Sequence, residues 1–119
     1  MLFSAKTRSI LFVVFAVLLS LAAVYHMAGI FYMVNNMPVW RHFLFVVIDL
    51  FFVYGALKRP KYFAWLVVFF VVQQYYSHGT YLMDMWIEKK QIHWFSIFDL
   101  LLCPIALICV MEDYKMKYK

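Results

Sequence analysis

The stretch SILFVVFAVLLSLAAVYHMAGIFYMV, residues 9–34, decides the fold of this chain, because it holds no charged side chain over a length sufficient to cross a bilayer. An α-helix needs about 20 consecutive, mostly apolar residues to span the hydrocarbon core. Lys6 and Arg8 precede the stretch, as basic residues precede the apolar part of a signal peptide. The apolar part of a signal peptide is only about 7–15 residues long and ends in a small-residue cleavage site. This stretch is longer and lacks a clear site, so we predict a retained transmembrane helix.

The composition of the whole chain agrees with a membrane environment. Of its 119 residues, 67% are hydrophobic and 14% are charged, whereas a soluble domain is about half apolar and about a quarter charged. A chain this short cannot bury such an excess in its own core. The net charge of +5 comes from short basic clusters at the ends of apolar runs, which is typical of membrane topology signals and not of nucleic-acid binding. We expect the lipid bilayer, and no nucleic acid, as a partner.

Three further apolar segments complete the predicted architecture. The four helices are expected near residues 9–34, 39–57, 62–83 and 93–111, joined by short connections. Short connections make consecutive helices antiparallel neighbours. The sequence therefore predicts an all-α fold, a polytopic membrane protein in which residues 1–119 form a single domain, an up-down-up-down bundle of four transmembrane helices.

The distribution of basic residues predicts the orientation. Cytoplasmic loops of membrane proteins carry an excess of Lys and Arg. One side of the predicted bundle carries Lys6, Arg8, Lys58, Arg59, Lys61, Lys115, Lys117 and Lys119, and the other carries Arg41, Lys89 and Lys90. Both termini are therefore expected in the cytoplasm. The predicted location is a bacterial inner membrane.

Polar residues inside the predicted spans concentrate in the extracytoplasmic half of the bundle. Each predicted helix contributes to this set, which has His26, Asp49, His78 and Asp99 as its inner members. A charged side chain facing lipid is costly, so these groups are expected to face the bundle interior and to line one polar pocket. They are the candidate catalytic residues and the candidate metal ligands.

Helical spacing adds a second set of candidates. Gln74, His78 and Tyr81 lie at i, i+4 and i+7, so they share one helix face. On the fourth helix His93, Ser96 and Asp99 step by three residues. The predicted ligand-binding residues are Arg41, His42, Gln73, Gln74, Ser77, Tyr81, His93 and Ser96, with Arg41 and His42 at the rim, where Arg41 would attract an anionic head group.

Several functions fit this pocket. The first is binding of a small or lipid-like ligand or of a divalent metal, with acid/base or metal-assisted chemistry, because two imidazoles and two carboxylates suit zinc, iron or manganese. The second is a haem b held by His26 and His78, or a quinone-linked redox role. The third is an accessory or scaffold subunit of a homo-oligomer or larger membrane complex, in which the polar groups serve only as interhelical hydrogen bonds. Whether the protein is an enzyme stays open.

The pattern NMPVWRHFLFVVIDLFFVYGALKRP followed by QQYYSHG, together with the helix count and the short loops, resembles the small four-helix bacterial membrane proteins grouped as DoxX-like. The resemblance covers most of the chain and concerns topology and overall character. It implies a four-helix membrane bundle and assigns no functional residue.

Overall fold

The computed structural model describes residues 1–32 and 35–119. The described part of the chain contains four α-helices: α1 (Ala5–Phe31), α2 (Val39–Lys58), α3 (Phe63–Lys89) and α4 (Trp94–Tyr118). The all-α fold class with four helices is thereby confirmed. The predicted end of the first helix at Val34 lies outside the described residues.

The helices extend beyond the apolar segments that predicted them. Helix α1 begins at Ala5, α3 continues to Lys89 and α4 continues to Tyr118, whereas the sequence predicted limits near residues 9, 83 and 111. The added turns are rich in Lys, Glu and Met, which are good helix formers in water. Hydropathy marks the part of a helix that can lie in lipid, so it underestimates the full length of the helix.

Local chemistry explains both ends of α2. Pro38 occupies the N-cap position, where its missing N–H costs nothing. At the other end Arg59 adopts a left-handed conformation with φ of 51° and donates its N–H to the Gly55 carbonyl. Pro60 follows, and proline cannot continue a helix.

Three of the helices within residues 1–32 and 35–119, α1, α2 and α4, are long and apolar enough to cross a membrane. This finding supports the predicted membrane localisation. Helix α3 has 27 residues and is not among the three. Its middle contains Gln73, Gln74, Ser77 and His78, which lower its hydropathy. A fourth span at α3 stays a prediction.

The chain divides into two compact units, Ala5–Pro60 and Lys61–Lys119 together with Met1–Ser4. The first unit is an antiparallel hairpin in which α1 packs on α2. At one end the Arg59 guanidinium lies over the Phe12 ring, 5.0 Å from its centroid. At the other end, next to the α1–α2 connection, His26 meets His42.

The second unit is an antiparallel hairpin of α3 and α4. Helix α4 continues through Pro104, which has no N–H to donate to the carbonyl four residues earlier, that of Leu100. The Tyr75 hydroxyl of α3 donates to this carbonyl, with an O···O distance of 3.0 Å. A side chain of the neighbouring helix thus replaces the backbone donor that proline removes.

The N-terminal segment belongs to this second unit. The Glu112 carboxylate of α4 accepts hydrogen bonds from the backbone N–H groups of Leu2 and Phe3, the latter at 3.1 Å. A carboxylate that accepts two backbone N–H groups makes charge-assisted hydrogen bonds, which are stronger than neutral ones. This contact ties the start of the chain to the last turns of α4.

Candidate functional site: a histidine cluster in each hairpin

All four histidines of the chain lie in two hydrogen-bonded clusters, one in each hairpin. Each cluster lies near the start of the second helix of its hairpin. His26 and His42 form the first pair, and His78 and His93 meet at Ser96 to form the second. All four were predicted site residues, but the pairing within each hairpin was not predicted.

The α1–α2 cluster consists of Tyr25, His26, Asn35 and His42. The Nδ1 atoms of His26 and His42 are 3.0 Å apart, and His42 Nε2 lies 3.1 Å from Asn35 Oδ1. The backbone N–H of Met37 donates to the same Asn35 oxygen at 2.8 Å, and Asn35 Nδ2 donates to the Tyr25 hydroxyl at 2.9 Å. Every polar atom of the Asn35 side chain therefore has a partner.

This network assigns the protons of the imidazole pair. Because Met37 donates to Asn35 Oδ1, that atom is an acceptor, and His42 Nε2 must carry a proton and donate to it. In neutral His42 the Nδ1 atom then bears a lone pair. It accepts the Nδ1–H of His26, since two N–H groups could not face each other at 3.0 Å.

Packing holds both rings of this cluster in place. His42 is 1% exposed and its ring lies against Gly29. A Cβ atom at position 29 would be 2.5 Å from His42 Cε1 and Nδ1 and 2.6 Å from Nε2, so only glycine leaves room for the imidazole. The His26 ring stacks on Phe45, with centroids 4.9 Å apart and an interplanar angle of 20°. His42, which was predicted at the rim of the polar pocket, is buried in the α1–α2 hairpin.

The α3–α4 cluster consists of His78, His93, Ser96 and Asp99. The Ser96 hydroxyl oxygen lies 2.9 Å from His78 Nδ1 and 2.8 Å from His93 Nδ1. His93 is the N-cap of α4, and its Nδ1 also accepts the backbone N–H of Ser96 at 3.3 Å. On the far side of His78, Nε2 lies 3.6 Å from Asp99 Oδ2, an ion-pair distance that is too long for a hydrogen bond.

The N-cap hydrogen bond of His93 determines the direction of the other hydrogen bonds in this cluster. His93 Nδ1 accepts a backbone N–H, so it is unprotonated and also accepts the Ser96 hydroxyl proton. The Ser96 oxygen then accepts the Nδ1–H of His78, and His78 Nε2 is left facing the Asp99 carboxyl group. The result is a directional hydrogen-bonded chain from His78 through Ser96 to His93, with the Asp99 carboxyl group 3.6 Å from its His78 end.

An Asp–His–Ser series also occurs in acyl-transfer enzymes, where the serine oxygen attacks the substrate. Here the Ser96 residue is 0% exposed and its proton is directed to His93. In this conformation the hydroxyl is closed to a substrate. The geometry instead suits the passage of a proton, since each member can both accept and donate.

The remaining predicted residues lie around these clusters. Asp49 is 6% exposed, and its Oδ2 has no hydrogen-bond partner among the described residues, which is costly for a buried polar atom. Tyr81 contacts His93 edge to face, with ring centroids 5.0 Å apart. The buried Gln74 donates to Gln73 Oε1 at 2.7 Å. Arg41 is exposed and Ser77 is half-buried.

Two members of the first cluster were not predicted from the sequence. Asn35 and Tyr25 complete the first cluster, yet Asn35 lies between helices and Tyr25 looks like an interfacial aromatic residue. Among the described residues no group of three or more His, Cys, Asp or Glu side chains is placed to hold a metal ion. The metal role of His26, Asp49, His78 and Asp99 stays a prediction.

Comparison of the chain with models of known protein families, with curated proteins and with solved structures finds no significant match. The resemblance to DoxX-like proteins therefore also stays a prediction.

Proposed function

We propose that the protein spans the membrane four times, with both termini in the cytoplasm. Contacts between Tyr75 and Leu100, His78 and Ser96, and Tyr81 and His93 follow one antiparallel register. Helix α3 thus runs back along α4, which is itself apolar enough to cross a membrane. Its 27 residues give a length of about 40 Å at about 1.5 Å per residue, enough for a span.

Cysteine labelling tests this topology. In a chain with Cys103 and Cys109 replaced by alanine, we expect Lys90→Cys to react with a membrane-impermeant maleimide in intact spheroplasts. Lys61→Cys and Lys119→Cys should react only after permeabilisation. If α3 stayed on the cytoplasmic side, only three spans would remain and Lys119→Cys would react from outside, which would overturn the four-span proposal.

We further propose that the protein binds a small ligand with a polar head and an apolar body at the extracytoplasmic end of the α3–α4 hairpin and exchanges protons with it. Ionisable residues inside a membrane commonly mark substrate sites and proton relays. The observation that carries this function is the chain Asp99–His78–Ser96–His93, in which the buried Ser96 hydroxyl joins two imidazoles. An apolar setting with a few convergent polar groups suits such a ligand.

The short length of the relay between Asp99 and His93 favours local proton transfer over proton conduction across the membrane. His93 stands at the start of α4 and Asp99 lies six residues further along, or about 9 Å deeper at about 1.5 Å per residue. The next eleven residues of α4, LLLCPIALICV, contain no ionisable group other than Cys103 and Cys109. Because its hydrogen bonds are directed from His78 through Ser96 to His93, the relay would carry a proton from a ligand beside Asp99 to His93 at the start of α4, and not across the membrane.

The exchange rate of the His78 imidazole proton with solvent, measured by NMR on ¹⁵N-labelled protein in lipid nanodiscs, tests the relay. We expect Ser96→Ala to slow this exchange by roughly 10²-fold, the lower end of what a positioned proton-transfer group contributes. Thr80→Ala is the matched control, because the Thr80 hydroxyl, on the same helix as His78, donates to the carbonyls of Tyr76 and Ser77 within that helix.

The structural alternative makes the opposite prediction for the same variant. If Ser96 served only as an interhelical hydrogen bond, its removal would expose the His78 N–H to local opening and speed the exchange. Faster or unchanged exchange in Ser96→Ala would reject the relay and favour the accessory or scaffold role.

A further inference from the structure

We propose that the α1–α2 cluster is a binding site for a first-row transition-metal ion, with the Nδ1 atoms of His26 and His42 as its protein ligands. Neutral imidazole is the commonest protein ligand for such ions and binds through either ring nitrogen. This site lies in the hairpin that the proton relay does not use. The two proposals therefore stand or fall separately.

The separation of the two nitrogens fits a shared metal ion. Two metal–nitrogen bonds of about 2.0–2.1 Å, in neighbouring positions at about 90–110°, place their nitrogens about 2.8–3.4 Å apart. The observed distance between His26 Nδ1 and His42 Nδ1 is 3.0 Å. A metal ion would take the place of the one proton that now lies between the two rings, and His26 would carry its proton on Nε2.

The hydrogen bond behind His42 is the kind that supports a metal ligand. A ligating histidine usually donates its other ring N–H to a fixed acceptor, which sets the tautomer and the ring orientation. Asn35 Oδ1 accepts the Nε2–H of His42 at 3.1 Å and is itself held by the N–H of Met37 at 2.8 Å. His42 therefore presents its Nδ1 lone pair towards His26.

Access and packing are also suitable. Gly29 and Phe45 fix the two rings, while His26 is only half-buried and gives an ion a path to the pair. With two imidazoles as ligands, the ion keeps coordination positions for water or for a small molecule. Open positions are typical of catalytic and exchangeable metal sites, whereas structural sites are closed by four protein ligands.

Cu²⁺ and Zn²⁺ added to the full chain in detergent micelles test the site. We expect one Cu²⁺ per chain with nitrogen hyperfine couplings in its electron paramagnetic resonance spectrum. His26→Ala should remove these couplings and weaken Zn²⁺ binding by about 10²-fold in a chelator competition. The matched control is His78→Ala in the other hairpin, which should bind both ions as the native chain does.

Variants of Asn35 distinguish a metal site from a purely structural contact between His26 and His42, because they leave both histidines in place. Asn35→Leu should weaken Zn²⁺ binding by about 10–100-fold, the usual effect of losing an outer hydrogen-bond partner. Asn35→Asp keeps an acceptor for His42 Nε2–H and should bind at least as tightly as the native chain. Cu²⁺ without imidazole couplings, equal loss in His78→Ala, or no difference between the two Asn35 variants would each overturn the proposal.

Discussion

Gly29→Ala is expected to destabilise the protein and to break the α1–α2 cluster. Alanine in place of glycine within a helix normally adds up to about 1 kcal/mol of stability. At position 29, however, the new Cβ would lie 2.5 Å from two atoms of the His42 ring, and that ring is fully enclosed. Overpacking of this kind typically costs about 1–3 kcal/mol, and a displaced His42 would lose its contacts with His26 and Asn35.

Gly79→Ala is the matched control, because it makes the same change in a helix next to a histidine. A Cβ at position 79 would meet no atom within 4 Å, so this variant should gain stability by up to about 1 kcal/mol. Reversible unfolding in mixed detergent micelles gives both values, and the ¹⁵N chemical shifts of His42 report its displacement. Equal effects of the two substitutions on stability would contradict the close packing of His42 on Gly29.

The sequence was sufficient to predict the four helices, because a long apolar run with basic residues at its ends indicates a helix from local composition alone. Apart from Asn35 and Tyr25, the polar members of both clusters were also predicted, since few ionisable groups occur inside the apolar runs. The sequence could not predict which of them meet. The burial of His42 depends on the absence of a side chain at Gly29 in another helix, and its tautomer depends on Asn35, which lies between helices.

The two hairpins show how the same residue types, similarly placed, give different chemistry. Each has a histidine in the C-terminal half of its first helix, and a second histidine and an aspartate follow in the chain, with Asp49 seven residues after His42 and Asp99 six after His93. In the first hairpin the imidazoles meet directly, which suits a metal ion. In the second the Ser96 hydroxyl lies between them and Asp99 faces His78, which suits proton transfer. This difference lies in interhelical contacts, which spacing along one helix does not reveal.

Tyr75→Phe is expected to destabilise the α3–α4 hairpin by about 1 kcal/mol, because it removes an interhelical hydrogen bond and leaves the Leu100 carbonyl without a donor. The loss of the backbone donor to this carbonyl can be predicted from Pro104 in the sequence alone. The Tyr75 hydroxyl that replaces this donor belongs to the other helix, so this contact could not be predicted. Tyr76→Phe is the matched control. Tyr76 is the next residue and is 75% exposed, so loss of its hydroxyl should change stability little.

A double-mutant cycle with Pro104→Ala decides whether the Tyr75 bond exists to compensate for proline. Alanine at this position restores the backbone N–H, which then donates to the Leu100 carbonyl as in any helix. In that background Tyr75→Phe should cost close to nothing, giving a coupling energy on the order of 1 kcal/mol between the two sites. Unfolding of the four proteins in detergent measures this coupling. If Tyr75→Phe costs the same with and without Pro104, the hydroxyl does not replace the missing donor, and its contact with α4 is incidental to the stability of the hairpin.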